Sequence, residues 1–262
     1  MQAMQKIVRY QNKGGQIYYG IAEDDRILQI SSHFDELVND SVKDQGMYVN
    51  YSDVKILEPV APSKVINFGW TYAEHARETG GQAHLKDPFL FLKPATCLIP
   101  DGENIILPPS NLTNQVEMEG EVALVIGKRG KNIKQEEALD YVFGCTIFND
   151  VTARDLTKTD PQFTRGKGFD TFGPLGPWIV TGIDPNNLQI ITTLNDKVVQ
   201  EGNTNQMSLS IPYLISWISQ VMTLEPGDVL ATGSPPGSCP MQSGDVVSVE
   251  VENIGKLVNY VA

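Results

Sequence analysis

Short runs of alternating apolar and polar residues, cut repeatedly by Gly, Pro and Asn, dominate the chain, and they predict strands rather than long helices. Ile7-Val8-Arg9-Tyr10, a turn through Asn12-Lys13-Gly14-Gly15, and Gln16-Ile17-Tyr18-Tyr19 read as a hairpin that opens a small β-rich module. Two prolines in Glu58-Pro59-Val60-Ala61-Pro62 favour an extended connector. That connector divides a module over residues 1–57 from a larger domain over 58–262. In the larger part, Val122 to Ile126, Trp178 to Thr181, Ile190 to Leu194, Val229 to Thr232 and Val246 to Val251 read as strands. Tyr72 to Thr79, Gln135 to Tyr141 and Ile211 to Gln220 carry helical spacing. The pattern predicts a strand-dominated α+β fold and not a doubly wound sheet.

Composition narrows the function classes. An apolar fraction of 41% with 20% charged residues is that of an ordered globular chain. Twenty basic against thirty-two acidic residues give a net charge of -12. That charge repels phosphate backbones and anionic lipid, so neither nucleic acid nor a membrane surface is expected as a partner. It also repels acidic small molecules, unless a metal ion or a local basic cluster reverses the field. Cys97, Cys145 and Cys239 are odd in number and far apart, which fits free thiols better than a disulfide framework or zinc spacing. No basic segment followed by an apolar one opens the chain, and no apolar run reaches bilayer length, so a cytoplasmic location is expected.

Chemistry concentrates in a few segments. In Val116-Glu117-Met118-Glu119-Gly120-Glu121-Val122, period-two alternation puts Glu117, Glu119 and Glu121 on one strand face. Like charges this close, once partly desolvated, either take up a proton or hold a cation between them, and hard divalent ions suit oxygen ligands. Taken alone, such a strand is more often a solvated acidic edge. Asp150, in Asn149-Asp150-Val151-Thr152-Ala153-Arg154-Asp155, offers a further hard ligand, although in isolation it reads as a turn or N-cap aspartate. Thr71 and Glu74 have capping-box spacing, and Gly80-Gly81 supplies a stop. On the short helix between them His75 and Glu78 share a face, so the carboxylate can orient the imidazole as a general base. A lone pair of this kind is more often an exposed ion pair. The two glycines would also serve as the hinge of a lid.

These segments occur in a register that resembles the fumarylacetoacetate hydrolase family, above all its bacterial isomerase and acylpyruvase types. The likeness runs from about Lys64 to the C-terminus through Asn67 to Glu78, Phe91-Leu92-Lys93-Pro94, Glu119 to Gly127, Asn149 to Asp155, Gln162 to Trp178 and Leu224 to Gly233. Residues 1–57 resemble the short N-terminal module of many bacterial members. The resemblance implies a coiled, mixed β-roll and a homodimer. It implies Mg²⁺, Mn²⁺ or Ca²⁺ held by Glu119, Glu121 and Asp150, leaving Glu117 outside the ligand pattern. His75 and Glu78 fall on the family's dyad, and Lys167 on the lysine that contacts substrate oxygens. Thr232 and Gly233 fall on the pair that receives a substrate carboxylate, and Arg154 is a further cation for an anionic substrate. Thr157 stands where many members carry glutamine, so that contact is lost or passes to Gln162, and Ser234-Pro235-Pro236 departs from the family's usual loop after Gly233. The implied activity is hydrolysis of a carbon–carbon bond in an acylpyruvate-like or fumarylpyruvate-like 2-oxo acid. Isomerisation, tautomerisation or decarboxylation of a 2-oxo diacid is the alternative, because one enolate chemistry serves all of them. A non-catalytic, metal-stabilised binding module is the rival from another class, and His75, Glu78 and Lys167 beside the ligands speak against it.

Overall fold

A computed structural model describes residues 3–39, 46–81 and 86–262. Its main sheet orders ten strands as Tyr48–Asn50, Arg26–Ser31, Ile17–Ala22, Lys6–Asn12, Gly173–Val180, Val142–Asn149, Gly120–Ile126, Val229–Ala231, Val65–Gly69 and Phe89–Lys93. Most neighbours are antiparallel, whereas Val229–Ala231 runs parallel to Val65–Gly69. The sheet is therefore mixed, as expected for a strand-dominated α+β chain. A second sheet orders Lys197–Asn203, Gln189–Leu194, Val246–Val251, Gly255–Val261 and Asn104–Ile105.

Apolar positions explain the layering. Every residue of Gly120–Ile126 is buried, which is the pattern of a strand covered on both faces. Val122, Leu124 and Ile126 pack with Val249, Val251 and Leu257 of the second sheet and with Ile211, Leu214, Ile215 and Ile218 of the helix Ile211–Val221. Ala123 and Val125, on the opposite face, join Ile7, Tyr19 and Ile179 in a separate cluster. The N-terminal hairpin forms as expected, and its first strand continues the main sheet by pairing Lys6 with Val180 and Ile7 with Ile179.

Helices form at Ala73–Glu78 and Ile211–Val221, and Gln135–Tyr141 is a 3₁₀ run. The capping box at Thr71 does not form. The cap residue is Tyr72, without a side-chain cap bond, and the buried Thr71 hydroxyl instead donates to Thr232 O at 2.7 Å. The stop does form, with Gly80 left-handed at φ 76° and Gly81 N–H donating to Ala76 O.

Candidate active site

The register Gly120↔Asn149 between two buried strands brings the residues just before and after those strands together. Asp150 N–H donates to Glu119 O at 2.8 Å, and Asn149 Oδ1 accepts from Glu119 N–H at 3.0 Å. The strand carrying the glutamates is interrupted here into Val116–Glu117 and Gly120–Ile126. Simple alternation across 117, 119 and 121 is therefore broken. Glu119 and Glu121 converge with Asp150, each offering an oxygen within 4.8 Å of the others. Glu117 turns to Arg154 instead, accepting from its Nε at 2.8 Å and from Gln115 Nε2 at 2.6 Å. All four carboxylates are buried, which overturns the solvated-edge alternative.

Three cations face them. Lys167 Nζ lies 2.7 Å from Glu119 Oε2 and 2.5 Å from Asp150 Oδ2. Arg154 bridges Glu117 and Glu119. Lys93 Nζ lies 2.6 Å from Asp150 Oδ1. With every group ionised, four carboxylates against three cations leave one negative charge. A divalent ion would turn that to one positive charge.

Glu121 differs from its two neighbours in having no ammonium or guanidinium partner among the described residues. Burial and the charges of Asp150 and Glu119 raise its pKa well above the ordinary carboxylate value, against the pull of Lys167 and the Gly233 N–H. Its direct partner is that backbone N–H, at 2.8 Å. Glu119 goes the other way: burial raises its pKa, but Lys167, Arg154 and His75 outweigh burial and hold it well below the ordinary value. Three hard oxygen donors, one of them without a cation of its own, fit Mg²⁺, Mn²⁺ or Ca²⁺.

The dyad closes the cleft from the helix side. His75 is buried, with Nδ1 3.6 Å from Glu78 and Nε2 3.6 Å from Glu119. Burial lowers the imidazole's pKa, but the two carboxylates outweigh it and hold the value above normal. His75 in turn lowers the pKa of Glu78 against burial, aided by the Gly237 N–H, which donates to Glu78 at 2.9 Å. Only half of the pair is buried: the His75 side chain is 6% exposed, whereas Glu78 keeps 40% of its side chain exposed.

Other expected residues are placed differently. The Thr232 hydroxyl donates to Val122 O at 2.8 Å, and Gly233 N–H holds Glu121, so neither donor is free for a substrate carboxylate. Gly233 has φ 98°, and a Cβ there would meet Thr71 Oγ1 at 2.0 Å, so only glycine can carry that N–H to Glu121. Ser234 lines the cleft. Gln162 is exposed outside it, and the buried Thr157 donates to Arg154 O. Two features escaped the sequence reading. One is Lys93. The other is an aromatic wall of Trp70, Phe91 and Phe163, backed by Phe89 with ring centroids 4.6 Å from both Trp70 and Phe163. Period-two spacing puts Phe89, Phe91 and Lys93 on one strand face, a local signal for that face but not for the distant groups it meets. Cys97 and Cys145 are buried free thiols, and Cys239 is half-buried.

A mixed sheet that carries a buried carboxylate triad beside a His/Glu pair places the chain in a superfamily of enzymes. The chain belongs to the fumarylacetoacetate hydrolase family: residues 64–262 match Fumarylacetoacetate (FAA) hydrolase C-terminal, and residues 5–59 match Rv2993c-like, N-terminal. An uncharacterized protein of Archaeoglobus fulgidus is 47% identical over 82% of this chain and 84% of its own length. The mitochondrial oxaloacetate tautomerase of Bos taurus is 43% identical over 80% of this chain and 70% of its own. The crystal structure of a 5-carboxymethyl-2-hydroxymuconate delta-isomerase from Mycobacterium smegmatis superposes with a TM-score of 0.89 at 38% identity, covering 98% of this chain and 99% of that one.

Proposed function

We propose that this protein is a divalent-metal-dependent enzyme that interconverts keto and enol forms of a small 2-oxo acid, with His75 carrying the proton. The observation that carries this reading is the position of the imidazole, 3.6 Å from Glu78 on one side and 3.6 Å from Glu119 on the other. Glu78 beside Nδ1 and Glu119 beside Nε2 place the imidazole between the helix and the triad, where it can take up a proton and pass it on. Glu119, Glu121 and Asp150 would hold the ion, whose part is Lewis-acid stabilisation of charge on the 2-oxo oxygen.

The chain's own groups do the rest. His75 Nε2 removes a proton from the carbon next to the 2-oxo carbon, and the electron pair of that C–H bond moves to the oxygen. Lys167 sets an ammonium beside the charge that develops there. Return of the proton from His75 to the oxygen gives the enol, and the reverse sequence gives the keto form. The names of the tautomerase and isomerase relatives support this choice.

Hydrolysis of an acylpyruvate-like carbon–carbon bond is the second reading, favoured by the Glu78 carboxylate that Gly237 holds in place to orient a water-activating His75. One experiment separates them. Oxaloacetate, acylpyruvates and fumarylpyruvate are incubated with Mn²⁺ or with chelator while enol absorbance and products are followed. Metal-dependent decay of enol absorbance with no cleavage product supports tautomerisation. Cleavage of acylpyruvate would replace it with hydrolysis, and release of carbon dioxide from oxaloacetate with decarboxylation.

A further inference from the structure

Asp150 carries one lysine on each carboxylate oxygen, and the two lysines are held in different ways. Lys93 Nζ donates to Asp150 Oδ1 at 2.6 Å, to Phe172 O at 2.6 Å and to Val151 O at 3.1 Å. An ammonium has three protons, so Lys93 is saturated, and two of its acceptors are backbone. Its side chain is 0% exposed. Lys167 Nζ donates to Glu119 Oε2 at 2.7 Å and Asp150 Oδ2 at 2.5 Å, both oxygens of the triad, and otherwise faces the Phe91 ring at 5.0 Å. Lys93 is thus anchored independently of the triad, and Lys167 only through it.

We infer that Lys93 is a positioning residue that makes Asp150 a one-oxygen metal ligand: it keeps Oδ1 and presents Oδ2, the oxygen for which the ion and Lys167 compete. This rests on the metal site proposed above. Moving Lys93 would leave a buried ammonium and two carbonyls short of partners. Lys167 gives up only carboxylate oxygens that the ion itself then satisfies, and its ammonium is released toward the substrate. The two lysines, alike in charge and in their contact with Asp150, therefore have opposite effects on metal affinity.

Calorimetry with Mn²⁺ on the full chain, together with circular dichroism and thermal melting of each variant, tests this. Lys93→Met is expected to weaken Mn²⁺ binding by about 10–100-fold, the scale for losing a partner behind a ligand, whereas Lys167→Met is expected to bind Mn²⁺ more tightly than the unaltered protein, and equal or weaker binding by that variant overturns the inference. A purely structural role for Lys93 would lower the melting temperature and leave the affinity of the folded protein unchanged, which overturns the inference. A crystal structure of the unaltered protein grown with Mn²⁺ decides between the two roles even if Lys93→Met does not fold. Mn²⁺ on Oδ2 alone, with Lys93 still on Oδ1 and Lys167 off Asp150, supports it; both oxygens on the ion, or Lys167 still on Oδ2, overturns it. Failure of the unaltered protein to bind Mn²⁺ would instead remove the metal site itself.

Discussion

The two sides of the cleft rest on different kinds of backbone. Glu119, Glu121 and Asp150 sit at the ends of Gly120–Ile126 and Val142–Asn149, strands paired on both edges. His75 and Glu78 sit on a helix of six residues, Ala73–Glu78, with no side-chain cap at its start. The chain enters that helix through Trp70, a bulky residue held left-handed at φ 58°, and leaves it through Gly80. Trp70 is tied back to the helix end by Nε1 donating to Thr79 Oγ1 at 3.1 Å. The carboxylate side is thus fixed by the sheet ladder. The His75/Glu78 side is a short segment whose placement depends on a few contacts, which leaves it room to adjust.

The largest effect should come from breaking the fixed side. Glu119→Ala, Glu121→Ala and Asp150→Ala should each weaken Mn²⁺ binding more than about 100-fold, beyond the cost of losing an outer partner. Calorimetry checks this, and unaltered affinity in all three would remove the triad from the metal site. On the adjustable side, His75→Ala should keep its metal and lose turnover by about 10²–10⁴-fold, the usual worth of a positioned base. Steady-state assays on metal-replete protein measure it, and a variant as fast as the parent would end the proton-carrying role. Gly81→Ala comes next: a Cβ there would lie 2.3 Å from Trp70 Cε2. Forcing the ring aside should cost about 1–3 kcal/mol in denaturant unfolding, and metal affinity should stay as it was. Smallest of all, amides of Ala73–Glu78 should exchange faster than those of Gly120–Ile126, and slow when oxalate binds with Mn²⁺. Equal protection of both segments in hydrogen-exchange mass spectrometry would mean that the contrast between the two sides is not real.

Much of the fold and a good part of the site are legible in the sequence. Alternation locates the strands, and helical spacing pairs His75 with Glu78, because both depend on local periodicity. What escapes depends on distant partners. Thr71 and Glu74 have capping spacing, but burial beside Thr232 gives the hydroxyl the Thr232 carbonyl as its acceptor. Glu117 shares the parity of Glu119 and Glu121 but is drawn to Arg154, because the Asn149 side chain takes the Glu119 N–H and interrupts the strand. Lys93 ends an apolar run, and nothing local to it indicates that its acceptors lie 57, 58 and 79 residues away.

The pairing of Lys6 with Val180 and Ile7 with Ile179 covers an edge that would otherwise be open. The N-terminal hairpin is a sheath for the edge of Gly173–Val180, where Ile179 and Val180 are fully buried. A descendant that lost the hairpin would expose that edge as a template for strands of other molecules, and self-association would follow. A chain without the hairpin would need a charge, a proline or a substitute strand at that edge to stay apart from its copies, so the hairpin can matter for solubility while supplying none of the triad or dyad residues.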